Sequence, residues 1–507
     1  MTNPDYFDNF IRQGHYHIPV TRELVADFET PLSCYVKVAR GPYSYLLESA
    51  NQGGEKWSRY SIIGLPANRV IKVYGEETIV EENGEIVEKL ITSDPLDFIE
   101  KYQQQFAYPE LPGLPGYTGG LVGYFGYDTV RYVEKHLAGM APPDKIGTAD
   151  ILLMVSNELI VFDNIKGRMH LVTHAQGLEE NAYEQACERL DVMQAALRDP
   201  IPDEFTSPAI APALYDEDFV SSYGEERFKA DVEKIKDYIL AGDVMQVVLS
   251  QGMSCGFEAE PLNLYRSLRA MNPSPYMYFM DLESVQIVSS SPEILARLEN
   301  REATVRPLAG TRPRGLSTDQ DQLMEEELLN DPKEIAEHLM LIDLGRNDIG
   351  RVAKTGTVKV SEMMVVERYA HVMHMASNVD GELRDELSAM DLLRATLPVG
   401  TLSGAPKVRA LEIIDELEPV KRGIFGGAVG YFSWNGNMDT AIAIRTAVLK
   451  DGRLHIQAGA GVVADSIAQQ EWTETMAKAM SVIKAAAIAE SGLELSLEGP
   501  GSRQGQR

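Results

Sequence analysis

Cysteine is scarce in this chain, and long apolar stretches are missing. The three cysteines, Cys34, Cys187 and Cys255, lie far apart and form no Cys-x-x-Cys pair, so the sequence indicates neither a disulfide framework nor a zinc site. No window holds the roughly 20 apolar residues that a membrane helix requires. The opening MTNPDYFDNF lacks a basic region followed by an apolar one. We therefore expect no secretory signal and a cytoplasmic protein.

Positive charge is also in short supply. The 507 residues include 47 Lys and Arg against 76 Asp and Glu, a formal net charge of −29. Such a surface repels phosphate backbones and anionic membranes, so we expect neither nucleic acid nor a membrane as a partner. A small acidic substrate would need locally placed cations, backbone N–H groups or a metal ion to overcome this field.

The chain divides into segments of different character. We predict an N-terminal part over 1–205, a catalytic part over 217–490 and a disordered tail over 499–507, with the Pro-rich run at 199–216 as a linker. The residues alone indicate only a mixed α and β fold. Strands are predicted at 35–38, 45–47, 61–63, 70–73, 78–80 and 86–87, and helices at 178–198 and 225–241. Turns are predicted at 51–54 and at Asn83-Gly84, the second as a hairpin between the last two strands.

Two predicted helices carry carboxylates on one face. Asp331-Pro332 is typical of a helix start, and Glu334 and Glu337 follow three residues apart. A second helix, predicted to begin at Asp465-Ser466, aligns Glu471, Glu474 and Lys478. Each set alone is equally typical of a solvated helix face. Taken together, four carboxylates on two facing helices suit a hard cation such as Mg²⁺.

Glycine-rich runs and one buried arginine complete the candidate set. Glycines at 400–404, 426–430 and 459–461 would let the backbone approach a ligand closely, although each run by itself is also typical of bulges and tight turns. The segment AIAIRTAV predicts Arg445 in the middle of an apolar strand. A cation there requires a partner, and a ligand carboxylate is a natural one.

Several segments together resemble the chorismate-utilising enzymes. The motifs are GDVMQVVLSQ, SSSPEIL, RPLAGTRPRG, KEIAEHLMLIDLGRND, HVMH, GTLSGAPKVRALEIID and AGAGVVADS, which span about residues 225 to 490. LLESA and NPSPYMYFM resemble the tryptophan-binding elements of anthranilate synthase large subunits. The resemblance implies an α+β fold, a sandwich of two antiparallel sheets flanked by helices.

The resemblance also implies roles for matched positions. Glu293 would protonate the departing C4 hydroxyl of chorismate, and His374 would support the later loss of pyruvate. The implied catalytic set is Glu293, His374, Thr401, Lys478 and Gln246; the substrate-binding set is Gly310, Thr311, Phe425, Arg445, Gly459, Ala460 and Gly461. Mg²⁺ would be held directly by Glu337 and Glu474 and through water by Glu334 and Glu471. The tryptophan set is Glu48, Ser49, Pro275, Tyr276 and Met277.

Two positions separate the reactions within that family. Members that add water carry a lysine base where this chain has Gln246, and a neutral amide cannot act as that base. Members that use a covalent route carry a lysine nucleophile where this chain has Ala309. Both differences indicate attack of ammonia at C2, then loss of pyruvate to give anthranilate. Phe425 departs from the usual tyrosine, which bears on substrate affinity.

The resemblance implies three small-molecule or protein partners besides Mg²⁺. They are chorismate, L-tryptophan as a feedback inhibitor, and a glutamine amidotransferase subunit that supplies ammonia within a hetero-oligomer. Two alternatives stay open at this stage. One is an enzyme that stops at 2-amino-2-deoxyisochorismate, and the other is a non-catalytic tryptophan-binding regulator.

Overall fold

The computed structural model describes residues 4–50, 59–106, 115–177, 179–369 and 372–494. The predicted tail at 499–507, the turn at 51–54 and His371 of the HVMH motif lie outside these residues. The strands up to residue 176 are β1 His17–Val25, β2 Ser44–Glu48, β3 Tyr60–Gly64, β4 Arg69–Tyr74, β5 Glu77–Glu82, β6 Glu85–Ile91, β7 Gly120–Phe125, β8 Ile151–Ser156, β9 Leu159–Asp163 and β10 Arg168–Gln176.

The remaining strands begin at Val220. They are β11 Val220–Ser221, β12 Gln246–Gly256, β13 Tyr276–Asp281, β14 Gln286–Ser291, β15 Ile294–Glu299, β16 Glu302–Val305, β17 Leu308–Pro313, β18 Lys359–Arg368, β19 Val372–Glu382, β20 Gly404–Ala405, β21 Ala428–Ser433, β22 Met438–Ile442, β23 Thr446–Lys450 and β24 Arg453–Val462.

Helices separate these groups of strands. They are α1 Pro4–Arg12, α2 Pro31–Cys34, α3 Pro95–Gln104, α4 Val130–Val133, α5 Ala182–Ala196, α6 Asp203–Thr206, α7 Glu225–Leu240, α8 Pro261–Met271, α9 Thr318–Asn330, α10 Pro332–Gly350, α11 Ala389–Thr396, α12 Lys407–Leu417 and α13 Ala468–Glu490. No helix among the described residues is both long and apolar enough to cross a bilayer.

The strands form two antiparallel sheets, which confirms the α+β class. The first sheet has the order β1-β10-β9-β3-β2-β13-β14-β23-β24-β12-β11, with β20 on β12. The second has the order β17-β19-β16-β15-β22-β21-β7-β8-β4-β5-β6, with β18 on β19. Each sheet takes strands from both sides of the predicted linker. The predicted division at 205–217 therefore separates stretches of sequence and not two sheets.

Alternation along the strands explains the layers. Tyr278 and Met280 of the first sheet pack with Val429 and Ala441 of the second in a core between the sheets. The opposite faces pack against helices: α5, α8 and α13 cover the first sheet, and α10 and α11 cover the second. Because successive residues on a strand point to opposite faces, the inner strands contribute to two cores.

Local signals set several boundaries as predicted. The Asp331 carboxylate accepts from the backbone N–H groups of Lys333 and Glu334 and begins α10, with Pro332 in the first turn. Asn83 and Gly84, both at positive φ, close the β5–β6 hairpin. The predicted helix at 225–241 is α7, and the one at 178–198 is α5.

Three local predictions were wrong. Tyr35–Ala39 is a π-helix instead of a strand, because the Thr30–Ser33 capping box starts α2 and the chain continues helically. The predicted linker contains α6, whose Phe205 is buried in the core under the first sheet. Ser466 does not cap α13: its hydroxyl accepts from the Val463 N–H, and the helix begins two residues later.

Candidate active site

Two antiparallel segments of the chain form a ribbon that passes from the first sheet into the second. β14 pairs with β23 in the first sheet, and the same two chain segments pair again as β15 and β22 in the second. At the corner, the Ile442 N–H donates to the Glu293 carbonyl at 3.0 Å and the Ser290 N–H to the Arg445 carbonyl at 3.2 Å. Glu293 and Arg445 therefore occupy the two places where the chain leaves a sheet.

Glu293 is a buried carboxyl group at this corner. Its side chain is only 6% exposed, and Thr401 Oγ1 donates to Oε1 at 3.1 Å. Burial raises the pKa of Glu293 to about 8, although the Thr401 hydrogen bond, the Leu308 N–H and the nearby cations Lys478 and Arg445 oppose the shift. The group is therefore mostly protonated at neutral pH and can deliver a proton.

Arg445 lies at the same corner on the second segment of the ribbon. It is not in the middle of a strand, as the sequence had predicted. It sits between β22 and β23 with φ 49°, because the backbone turns there from one sheet to the next. Burial lowers the pKa of its guanidinium. Arg445 is partly buried and, among the described residues, has no side-chain hydrogen bond or ion pair, so a cation is available for an anionic ligand.

His374 borders the same space from β19, opposite Thr311 of β17. Its Nδ1 lies 3.1 Å from the Gly310 carbonyl oxygen and 3.0 Å from Thr311 Oγ1. Burial and the charge of Arg445 lower the pKa of His374 to about 4, so the ring is neutral. Because a carbonyl oxygen only accepts, Nδ1 carries the proton and Nε2 keeps its lone pair.

The bulge at Gly310 brings this region next to the predicted metal helix. Gly310 has φ 69°, at an irregularity in the β17–β19 register. A Cβ on Gly310 would lie 3.2 Å from Glu334 Oε2 and 2.9 Å from Leu328 Cδ1. Glycine is therefore required both by the backbone angle and by the space.

Strands β12 and β24 carry two further groups of predicted site residues, Gln246 and Gly459–Gly461. Val248 pairs with Gly461, and a Cβ on Gly461 would lie 2.5 Å from Gln246 Nε2. The Gln246 side chain is buried, and its Oε1 has no hydrogen-bond partner among the described residues. Beyond Ile456, the edge of β24 opposite β12 pairs with no described strand. On that edge, backbone groups of alternate residues within Gly459–Gly461 are available to a ligand, apart from the Gly459 carbonyl, which accepts from Lys478.

The four glutamates of α10 and α13 lie within reach of one another. Burial, Glu334 and Glu474 raise the pKa of Glu337, and burial together with Glu474 raises that of Glu471. Lys478 pairs with Glu474 at 2.7 Å and also donates to the Gly459 carbonyl at 2.9 Å. Arg312 pairs with Glu334 at 3.2 Å. The mutual repulsion of these carboxylates fits a divalent cation.

The same carboxylates do not form a closed metal site. Within the described ranges, no group of three or more His, Cys, Asp or Glu side chains has an arrangement that could hold a metal ion. The donor chemistry fits Mg²⁺, but the described side chains are not gathered into a group that could ligate the ion. The assignment of Glu337 and Glu474 as direct Mg²⁺ ligands therefore stays a prediction.

Phe425 borders the site from the segment before β21. Its ring is buried, and the guanidinium carbon of Arg422 lies 5.7 Å from the ring centroid. Phe425 also lines a cavity of about 320 Å³ between the sheets, together with Thr446 and Gln457. Glu293, Gln246 and the four glutamates do not line this cavity, so it is a neighbour of the candidate site.

Comparison with known proteins agrees with this geometry. The sequence pattern of a family described as chorismate binding enzyme matches residues 43–484. The chain belongs to this family. Anthranilate synthase component 1 of Pseudomonas aeruginosa is 56% identical over 492 residues, which cover 97% of this chain and 100% of the relative. The protein of the same name from Neisseria meningitidis serogroup A is 54% identical, with 95% and 97% covered.

Solved structures of chorismate-binding enzymes share the fold. Anthranilate synthase component I from Streptococcus pneumoniae superposes with a TM-score of 0.76 at 39% identity, covering 91% of this chain and 99% of that one. The menaquinone-specific isochorismate synthase of Escherichia coli gives a TM-score of 0.68 at 17% identity, covering 95% and 98%. The second likeness shows the fold alone.

The residues matched to tryptophan binding lie in a different place in this chorismate-binding enzyme. Glu48 ends β2 and pairs with Met277 of β13, on the face that packs against α8. Arg269 donates to both Glu48 oxygens, and Tyr265 donates to one of them. The carboxylate predicted to bind an ammonium group therefore already has a cationic partner.

The neighbouring positions divide between the two faces of β13. Tyr276 points between the sheets, where its hydroxyl donates to Asp439 at 2.9 Å, so Tyr276 and Met277 cannot wall the same pocket as predicted. Ser49 has a buried hydroxyl without a partner among the described residues. Pro275 precedes β13 and stays partly exposed. Met277 remains the candidate on the outer face, and Ser49 remains a candidate because its buried hydroxyl has no partner among the described residues.

Sequence reasoning missed one part of the site. Arg422 and Glu418 form a fully buried ion pair that contacts the Thr401 loop and β12. The available signal was the pattern EPVKRG just before the glycine-rich run at 426–430, where charged residues stand beside a predicted buried strand. Its partners come from segments distant in sequence, so only the tertiary structure shows the pairing.

The pKa of Glu293 generates a pH prediction. If Glu293 is the general acid, the turnover rate of chorismate at saturating co-substrates should fall as the pH rises through about 8, because the acid loses its proton. Glu293→Gln should lower kcat by about 10² or more. The exposed Glu299, at the far end of the following strand β15, supplies the control Glu299→Gln, which should keep the wild-type rate. Retention of more than a tenth of the rate in Glu293→Gln would contradict the role.

Proposed function

We propose that this chain converts chorismate and ammonia into anthranilate, pyruvate and water. The observation that carries this proposal is the ribbon corner, which holds a mostly protonated acid, Glu293, and a partly buried arginine, Arg445, without a partner among the described residues. That combination suits a substrate that carries carboxylates and must lose a hydroxyl group. The relatives named anthranilate synthase component 1, at about half identity over nearly the full length, support the same reaction.

Substrate binding rests on Arg445 and the β24 edge. The Arg445 guanidinium would form charge-assisted hydrogen bonds to one carboxylate of chorismate. The backbone N–H groups of Gly459–Gly461 and the Thr311 hydroxyl add neutral donors around it. Phe425 contributes a ring without the hydroxyl group that a tyrosine would offer. Substrate recognition therefore depends on Arg445 more than it would with a tyrosine at that position.

The first chemical step replaces the C4 hydroxyl with nitrogen at C2. Glu293 gives its proton to the departing oxygen, which leaves as water, while the ammonia nitrogen forms a bond to C2. The two ring double bonds shift, from C1=C2 to C1=C6 and from C5=C6 to C4=C5, and the new ammonium group then loses a proton. Gln246 is neutral and cannot remove a proton from water, which disfavours hydroxylation. Its buried and unpartnered Oε1 can accept a hydrogen bond from ammonia.

The second step removes pyruvate from the aminated intermediate. A base takes the C2 proton, the C3–O bond breaks, and the ring becomes aromatic. The side chain leaves as the enolate of pyruvate, which takes up a proton at its methylene carbon. His374 is neutral and has a free Nε2, so it is suited to accept this proton. A chain that lacked this base would accumulate 2-amino-2-deoxyisochorismate instead.

Ammonia from glutamine requires a second subunit in this proposal. A glutaminase needs a reactive nucleophile, but burial raises the pKa of the Cys34 and Cys255 thiols to about 12. Cys187 lies on α5 in the sequence ACE, which has no glycine-flanked elbow. The name component 1 of the relatives implies another component. We propose a cytoplasmic hetero-oligomer with a glutamine amidotransferase.

Product analysis tests this function directly. The purified chain with chorismate, Mg²⁺ and ammonium chloride should release anthranilate, detected by fluorescence, and an equal amount of pyruvate. Glutamine should replace ammonium only after a glutaminase subunit is added. Aminated product without pyruvate would favour the enzyme that stops at the intermediate. No turnover of chorismate with excess ammonia would favour the non-catalytic regulator.

We also propose that Mg²⁺ binds between α10 and α13. Glu337 and Glu474 would be direct ligands, and Glu334 and Glu471 would act through water. When bound, the ion would supply positive charge to the ring carboxylate of chorismate in a protein with net charge −29. The support is the proximity of like charges: burial and neighbouring carboxylates raise the pKa values of Glu337 and Glu471.

Removing one ligand charge should weaken Mg²⁺ binding. Glu337→Gln and Glu474→Gln should each raise the Mg²⁺ concentration for half-maximal activity by about tenfold or more. Direct binding, followed with Mn²⁺ as a spectroscopic substitute, should weaken in parallel. The control is Glu326→Gln, an exposed position on α9, which should leave both measurements unchanged. Wild-type metal dependence in both ligand variants would exclude this site.

Feedback inhibition by tryptophan is the final part of the proposal. The candidate pocket lies at the end of β2, where Met277 packs in the core against α8, on the opposite side of the first sheet from Val448. The buried Ser49 hydroxyl beside it has no partner among the described residues. Ligand binding there would act through a change of state that weakens chorismate binding, and chorismate would weaken tryptophan binding equally.

Filling this pocket should relieve inhibition. Ser49→Phe should raise the tryptophan concentration for half-inhibition at least about tenfold, with little change in uninhibited activity. The expected coupling free energy between tryptophan binding and chorismate binding is about 1–3 kcal/mol. Tyr276→Phe is the matched control, since it removes only a hydroxyl that points to the other face. Equal inhibition of Ser49→Phe and wild type, or wild type that stays active in saturating tryptophan, would refute the location.

A further inference from the structure

Arg422 and Glu418 form an ion pair that is withdrawn almost completely from solvent. Their side chains are 1% and 2% exposed, and Arg422 Nε and Nη2 donate to the two Glu418 oxygens at 2.9 and 2.6 Å. The guanidinium carbon lies 4.5 Å from the centroid of the Tyr127 ring. Desolvation makes such a pair no more stabilising than apolar residues of similar volume. Stability alone therefore does not account for it.

The remaining hydrogen bonds of the pair reach two segments of the candidate active site. Arg422 Nη1 donates to the Leu402 carbonyl at 2.6 Å, and Nη2 donates to the Val248 carbonyl at 2.8 Å. Glu418 Oε1 accepts from the Ser250 N–H at 2.8 Å and from its hydroxyl at 2.7 Å. All these groups are buried, so each bond fixes one backbone position.

Each of these segments carries a group assigned to catalysis or substrate binding. Leu402 directly follows Thr401, which donates to Glu293. Val248 lies two residues from Gln246 on β12 and pairs with Gly461. The ion pair therefore connects the Thr401 segment, which hydrogen-bonds to Glu293, to strand β12, which carries Gln246.

We propose that Arg422 and Glu418 are positioning residues that hold the Thr401–Glu293 hydrogen bond and β12 at a fixed separation. The proposal rests on the proposed function, because it assigns Glu293 as the acid and Gln246 as the group beside the nucleophile. Arginine is required for geometric reasons: only its planar fork can donate to Glu418 and to two carbonyls at once. Lysine can keep the charge but cannot keep all of these bonds.

The pH profile of the enzyme reports on this connection. The groups that face Glu293 are the Thr401 hydroxyl, the Leu308 N–H, Lys478 and Arg445, and the Thr401 bond holds its pKa down. Weakening that bond should move the basic limb of the kcat profile to higher pH. A role of Arg422 in folding alone would lower the melting temperature without moving this limb.

The test compares Arg422→Lys, Thr401→Val and the double variant at saturating chorismate, ammonia and Mg²⁺. Each single variant should lower kcat about tenfold, leave the KM for chorismate within about threefold, and shift the basic limb upward. The double variant should show no larger shift than Thr401→Val alone, because both changes act on one hydrogen bond. An additive shift, or an unshifted Arg422→Lys profile, would overturn the proposal.

Two further variants keep the test decisive. Arg131→Lys is the matched control: Arg131 pairs with Asp415 at 2.7 Å and with Asp128 at 2.8 Å, away from Thr401, and should leave the profile unchanged. If Arg422→Lys does not fold, Arg422→Met/Glu418→Leu removes both charges, should fold, and should show the same upward shift. Wild type that makes no anthranilate would refute the proposed function, whereas an unshifted limb would refute only the positioning role.

Discussion

The ribbon that passes between the two sheets is the constraint on which the site depends. Two sheets that pack face to face normally bury only apolar side chains, but a chain that crosses between them must turn and leave part of its ladder unpaired. Here both crossing points carry an ionisable residue, Glu293 and Arg445. The substrate is expected to complete the hydrogen bonds that the sheets leave open.

Burial then sets opposite charge states for these two neighbours. Removal from water disfavours the charged form of each group, so the carboxyl group of Glu293 keeps its proton up to about pH 8. Arg445 stays cationic because its ordinary pKa is far above neutrality. A carboxylate ligand gains most from a cation that has no competing partner. The acidic surface and the anion-binding site are therefore compatible within one molecule.

The site is assembled from segments that lie far apart in the chain. Gln246 comes from β12, Glu293 from the ribbon corner, His374 from β19, and Lys478 from α13. Each was found by resemblance to a motif, yet Gln246 alone is an ordinary strand residue and His374 an ordinary core histidine. The structure adds the pKa and the hydrogen-bond partners of such side chains, on which a chemical role depends. The Gly310 carbonyl at His374 Nδ1 is one example.

The sequence by itself determined the local structure and the chemical inventory. Strand alternation, the Asp331 cap, the Asn83-Gly84 turn and the Glu-x-x-Glu spacing depend on neighbours along the chain, and the α+β class followed from motifs matched to a family. Only the tertiary structure decided the rest. It placed Arg445 at a sheet crossing instead of in mid-strand, paired Glu48 with Arg269, put Tyr276 and Met277 on opposite faces, and buried Arg422 against Glu418. These outcomes depend on which segments meet in space, and on how much water each meeting excludes, and no local pattern contains that information.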